Sequence, residues 1–293
     1  MDVEQSTERG FRHLQEGKWS YAMGAFRDVL DVAPDHAPAH YGLGRVFTET
    51  GYTDGAEQEF QAAVRLDTTY GEAYLGLAGL YYRLGRYEEA ERNSLLAARH
   101  GAGETADALY LQGLFAERGG DYWEAEARMR GALRLAPGDV RYRLALVDLL
   151  RRRGRYDDAL SELERERFPR GHDKEIRVRL ADCRLHLGQV LEAERLFRLL
   201  LNDDYLAVEP RWGLVLLGLR RGDAEETSAQ LEEIATLVPP EEEWIVRDLA
   251  EMLGTPDPFF GFLTRLRELR PEAPESLHPY MDDMIRELVG EKE

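Results

Sequence analysis

Seven glycines divide most of this chain into units of one length. Gly17, Gly51, Gly85, Gly120, Gly154, Gly188 and Gly222 stand at steps of 34, 34, 35, 34, 34 and 34 residues. Each lies between two segments whose apolar residues recur at helical spacing. Each unit is therefore two helices, joined at a residue that adopts a left-handed backbone without steric penalty. A fixed period of this kind indicates stacked helical pairs.

Three more series keep step with the glycines. Five residues after each comes a mostly small one (Ala22, Ala56, Ala90, Ala125, Ala159, Ala193, Thr227), and four further on a mostly larger one (Phe26, Phe60, Ser94, Met129, Leu163, Phe197, Leu231). Seven residues before each glycine the position is again mostly small: Gly10, Gly44, Ala78, Gly113, Val147, Ala181 and Val215. The small residue early in the second helix permits close approach by its partner. The bulky one fills the space between neighbouring pairs, and Pro34, Pro137 and Pro239 limit the second helices. Single glycines in one register could be chance, but four coupled series over seven units are not.

These positions, clearest in AHYGLGRVFTETGYTDGAEQEFQAAVRLD, AYLGLAGLYYRLGRYEEAERNSLLAAR and VRYRLALVDLLRRRGRYDDALSELER, resemble the tetratricopeptide repeat family. The resemblance implies an all-α fold, a right-handed superhelical solenoid of antiparallel helix pairs. Seven repeats are expected at 3–36, 37–70, 71–104, 106–139, 140–173, 174–207 and 208–241, with the extra residue near Thr105. Ser94 predicts a looser contact in the third repeat, and Val190 and Ala224 replace the common aromatic after the turn in the last two.

Residues 242–293 leave the series and read as three further helices. Thr255 followed by Pro256 suits a helix start. Phe259, Phe262, Leu263 and Leu266 form one apolar stripe, and Leu277, Met281, Met284 and Leu288 another. The leading expectation is a cap over the last repeat. A dimer or partner-docking element and a fold back into the groove are the alternatives.

The net charge of −18 opposes general attraction to nucleic acid or anionic membrane. No run approaches eighteen apolar residues, and MDVEQSTERG lacks a basic segment followed by an apolar one, so a cytoplasmic location is expected. Cys183 is the only cysteine, which excludes an intramolecular disulfide and a zinc site of several thiolates. Lysine stands only at Lys18, Lys174 and Lys292, so arginine supplies nearly all of the 38 basic residues.

By resemblance to the family, the first helix of each pair lines a concave groove. The residues projected there are Tyr41, Arg45, Tyr82, Arg83, Tyr110, Arg118, Arg141, Asp148, Arg151, Arg152, Arg179, Asp182 and Trp212. Aromatic surface beside guanidinium donors suits an acidic or aromatic-containing peptide. Arg141, Arg151, Arg152 and Arg179 form the leading anion-favouring patch, unless neighbouring carboxylates pair them. Some family members grip a partner's C-terminal carboxylate through a lysine and asparagine set. The matching positions here are Thr7, Phe11, Gly42, Glu72 and Gly76, which argues against that mode.

No phosphate-binding loop, HExxH motif or Gly-x-Ser-x-Gly elbow occurs. His36 and His40 are separated by Pro38 and a repeat boundary, and His172 and His186 lie in different parts of adjacent repeats, so no metal or other cofactor is expected. Cys183 reads as a packing residue, as do Tyr87, Tyr122 and Tyr156, two residues after their turn glycines. The expected function is a non-enzymatic protein-interaction scaffold or adaptor that docks a peptide or helical segment. A structural subunit of an obligate assembly and a regulatory module acting on an enzyme in trans are the alternatives, and self-association through the C-terminal helices stays open.

Overall fold

The computed structural model describes residues 2–165, 173–204, 207–254 and 258–289, without the side chain of Glu287. Every element among the described residues is helical. The chain forms two compact units, Met1–Leu149 and Leu150–Glu293.

The first unit pairs α1 (Val3–Gln15) with α2 (Trp19–Val32), α3 (Ala37–Glu49) with α4 (Thr53–Leu66), α5 (Gly71–Arg83) with α6 (Tyr87–Ala97), and α7 (Ala106–Arg118) with α8 (Tyr122–Leu135). Most of α9 (Val140–Arg152) belongs to it as well. The second unit contains α10 (Tyr156–Glu164), the pair α11 (Asp173–His186) and α12 (Val190–Asp203), and the pair α13 (Glu209–Arg221) and α14 (Ala224–Ala235). It ends with α15 (Pro240–Met252), α16 (Pro258–Leu269) and α17 (His278–Val289). The helix start read at Thr255 and Pro256 and the residue His172 fall outside the described residues.

All seven glycines of the series have positive φ, between 69° and 80°. The residue after the glycine donates its N–H five residues back, as from Arg86 to the Tyr81 carbonyl at 2.9 Å and from Asp223 to that of Gly218 at 2.8 Å. This closure satisfies carbonyls that the helix end leaves unpaired. Asp121 and Asp223, each directly after its turn glycine, also accept from Glu124 N and Glu226 N at 3.0 Å, capping the second helix. The extra residue of the third repeat is taken up by a π-helical turn at Ala98–Ala102, where Gly101 has φ 85°. Thr105 then caps α7 by accepting from Ala108 N at 3.2 Å.

Bulk is matched across the junctions between pairs. The Phe26 ring is fully buried between Gly10 and Gly42, and Phe60 lies between Gly44 and Gly76. A Cβ on Gly10 would stand 2.6 Å from the Phe26 ring, and one on Gly76 2.7 Å from Phe60, both inside contact distance. Phe197 fills the space against Gly213 in the same way. Where the bulky series breaks at Ser94, the register places buried Leu111, not glycine, at the position of Gly42 and Gly76.

A related exchange holds α13 against α14. Thr227 replaces the alanine of its series, is fully buried, and donates to the Asp223 carbonyl at 2.6 Å. Gly218 lies opposite, and a Cβ there would collide with Thr227 Oγ1. Gly218→Ala is expected to destabilise the second unit by about 1–3 kcal/mol through overpacking. Adding Thr227→Ala should restore wild-type stability, because the collision disappears and alanine is the better helix former. Urea denaturation of the single and double variants tests this, and an unrescued double variant would refute it.

The junction between the first two pairs carries a titratable contact. His40 Nδ1 lies 2.6 Å from Glu59 and its Nε2 2.9 Å from the Pro34 carbonyl. The Glu59 carboxylate raises the His40 pKa, while burial and Arg65 oppose it. A raised folded-state pKa gives stability that is present below the unfolded value of about 6.5 and is lost as pH rises through the folded value. His36, bonded to Thr7 at 3.1 Å, runs the other way because burial lowers its pKa. His40→Gln is therefore expected to destabilise the chain more at pH 5.5 than at pH 8.5. Equal losses at the two pH values in denaturant titrations would contradict the pairing.

Of the end helices, α15 packs on α14, burying Ile245, Val246 and Leu249 over the last repeat. The last helix, α17, turns back and packs on α13.

Candidate functional site

In the first unit the first helices of successive pairs bring tyrosines and arginines into one neighbourhood. Tyr41 on α3 packs its ring 6.0 Å from Phe11 on α1 and 5.3 Å, edge-on, from Tyr70 at the start of α5. Arg45, one turn along α3, places its guanidinium 5.9 Å from the Tyr41 ring centre. Tyr82 on α5 meets Phe115 at 5.5 Å and donates to the Leu114 carbonyl at 3.3 Å. Tyr110 on α7 lies 5.1 Å from Tyr142, whose hydroxyl donates to Asp107 at 2.5 Å. Burial pushes the Tyr41, Tyr70, Tyr82 and Tyr110 hydroxyls above their ordinary range, so they stay neutral and able to donate. Tyr70 escaped the sequence reading because it sits in the turn before α5, outside the helical register of the groove positions.

The arginines divide into two kinds. Arg141 is held by Asp139 at 2.7 Å and Asp107 at 3.3 Å, and these carboxylates outweigh the burial that opposes its charge. In the second unit Arg151 pairs with Asp182 at 2.6 Å, and Arg179 donates to the Glu175 carbonyl at 3.1 Å. Of the expected anion-favouring set Arg141, Arg151, Arg152 and Arg179, carboxylates already hold Arg141 and Arg151. Asp148 is half-buried on α9. In contrast, Arg45, Arg83 and Arg118 form no ion pair among the described residues, and Arg118 lies 3.4 Å over the Tyr87 ring. A guanidinium over an aromatic face gains about 0.5–2 kcal/mol and keeps its charge for a ligand.

Trp212, projected onto the groove face, is 3% exposed and covered by the chain itself. Tyr280 of α17 stacks on it at 4.8 Å with the rings 12° from parallel. The stripe of Leu277, just before α17, and Met281 and Met284 on it is buried. Arg270, just after α16, clasps Asp282 of α17 at 2.8 Å. Asp283, on the covered side of α17, is raised above the usual carboxylate range by burial, with Arg286, His186, Asp182 and Arg151 around it. Tyr156 stacks on His186 at 4.2 Å, and burial together with Asp182 and Asp283 pushes its hydroxyl up to about 12. Cys183 is fully buried in α11, whereas Tyr122, expected in the packing scheme, is 43% exposed.

Among the described residues no group of three or more His, Cys, Asp or Glu side chains is placed to hold a metal ion, and no helix is long and apolar enough to cross a membrane.

Models of the tetratricopeptide repeat match residues 49–92 and, for a second model, 116–172 and 144–207. Protein O-mannosyl-transferase F38B6.6 of Caenorhabditis elegans is 33% identical over 58 residues, 20% of this chain and 8% of that protein. DnaJ homolog subfamily C member 3 of Homo sapiens is 24% identical over 216 residues, 67% of this chain and 43% of that protein. The chain therefore spans less than half the length of either relative. Among solved structures, the APC/C hetero-tetramer Cut9-Hcn1 superposes with a TM-score of 0.67 at 15% identity, over 81% of this chain and 47% of that one, a likeness of fold alone. Period, left-handed turn glycines, paired helices and matching repeat models agree: this chain carries tetratricopeptide repeats.

Proposed function

We propose that the chain is a non-enzymatic docking module that binds a peptide or helical segment of another protein on the first-helix face of the first unit. The observation that carries this reading is the set of three guanidiniums without ion pairs among the described residues, Arg45, Arg83 and Arg118, on the helices that carry the half-buried rings of Tyr41, Tyr82 and Tyr110. Such a face takes an acidic segment that also contains aromatic side chains, since arginine grips carboxylates in two-point geometry and the tyrosines supply contact area with little entropy loss. A cytoplasmic place of action belongs to the same reading, supported by a single, buried cysteine.

Fluorescence anisotropy with labelled peptides of equal length, acidic-aromatic or basic-aromatic, tests it. The acidic peptide should bind preferentially. Arg45/Arg83/Arg118→Ala should weaken it about 10- to 100-fold, if each lost charge contact contributes about 0.5–1 kcal/mol. Equal affinity for both peptides, or a triple variant that binds as well as wild type, would refute the reading.

A further inference from the structure

The second unit already holds a helix on its first-helix face. The α17 helix packs on α13 with the Tyr280 ring flat on Trp212, and it buries Met281 and Met284. Three features mark this seat as a site that α17 fills imperfectly. The indole N–H of Trp212 is buried and has no hydrogen-bond acceptor among the described residues, so the seated helix leaves a donor unsatisfied. Asp283 is carried into the covered side, where burial disfavours its charge even though Arg286 pairs with it. The seat also uses methionines, whose unbranched side chains fill irregular gaps and accept alternative packings.

We propose that the Trp212 face of α13 is a docking site for an amphipathic helix of a partner protein, and that α17 occupies it in cis until that helix displaces it. This inference rests on the reading of the chain as a docking module and adds a second site with its own ligand chemistry. The partner helix carries an aromatic ring where α17 has Tyr280 and unbranched apolar residues where it has Met281 and Met284. It brings an acceptor within reach of the Trp212 indole, and a neutral residue in place of Asp283. It thus differs from the acidic segment suited to the first unit.

The test uses the full chain and a fluorescein-labelled peptide of residues 275–289. Weakening the resident helix by Tyr280→Ala is expected to raise peptide affinity at least tenfold over wild type. A peptide carrying Asp283→Asn should bind the variant several-fold tighter than the parent peptide, and one carrying Tyr280→Ala should bind more weakly. Should Tyr280→Ala impair folding, hydrogen exchange on the wild-type chain decides instead. Saturating Asp283→Asn peptide should speed exchange across 278–289 while α15 and α16 stay protected.

Equal peptide affinity for wild type and Tyr280→Ala, or unchanged exchange in α17, overturns the inference. Loss of the peptide in the Arg45/Arg83/Arg118→Ala chain would place it on the first unit, overturning this site while leaving the function proposed above intact. A gain that persists in the triple variant supports the Trp212 site even if the acidic peptide fails on the first unit.

Discussion

Replacing Phe26 by serine should remove at least about 3–5 kcal/mol of stability, the range for deleting a fully buried aromatic ring. The ring has no room to be replaced by collapse, because its neighbours Gly10 and Gly42 carry no side chains to move inward. Gly42→Leu should also destabilise, by about 1–3 kcal/mol or more, since ring atoms of Phe26 occupy the space its Cβ needs. Combining the two recreates the pairing found two junctions on, where Ser94 is matched in register by Leu111. The double variant should therefore be more stable than the sum of the single losses predicts, by about 0.5–3 kcal/mol of coupling. Denaturant unfolding of the four proteins gives that coupling directly. Additive losses would show that the glycines and the ring are not matched to one another.

Trp212→Ala should have an effect of similar size on the second unit. The ring is 3% exposed and stacked on Tyr280, so its removal opens a cavity between α13 and α17, with an expected loss of about 3–5 kcal/mol. Trp212→Phe is the informative comparison. It keeps an aromatic face for Tyr280 and deletes the buried N–H that finds no acceptor among the described residues. Removing an unsatisfied donor is worth about 1–3 kcal/mol, which offsets much of the lost ring area. The phenylalanine variant should thus lie within about 1.5 kcal/mol of wild type. A loss equal to that of alanine would mean that the indole N–H is satisfied by ordered water.

The fold was legible because its determinants are local and repeated. Left-handed turns at Gly17 through Gly222 follow from a residue type and its spacing, and buried Phe26, Phe60 and Phe197 follow from the same register. The state of the groove was less legible. Whether an arginine is open or paired depends on contacts across repeats. Arg141 meets Asp107 across 34 residues and Arg151 meets Asp182 across 31. Those separations lie near the repeat period, so aligning charges by repeat position could have paired them. The fate of Trp212 had no such signal. The stripe of Leu277, Met281 and Met284 shows that α17 buries one face, but amphipathicity does not say against what.

The matched junctions also bear on how such a chain can change by gain or loss of whole repeats. Its units share a length and a turn, yet they are not interchangeable parts. Deleting residues 37–70 would set Phe26 opposite Gly76, a pairing equivalent to the one it already has with Gly42. Deleting the third repeat with its π-helical turn would instead set Phe60 opposite Leu111, two large side chains where the packing admits one. Recombination between misaligned copies is therefore tolerated at some boundaries and penalised at others, and the order of the repeats is written into the sizes of their facing residues.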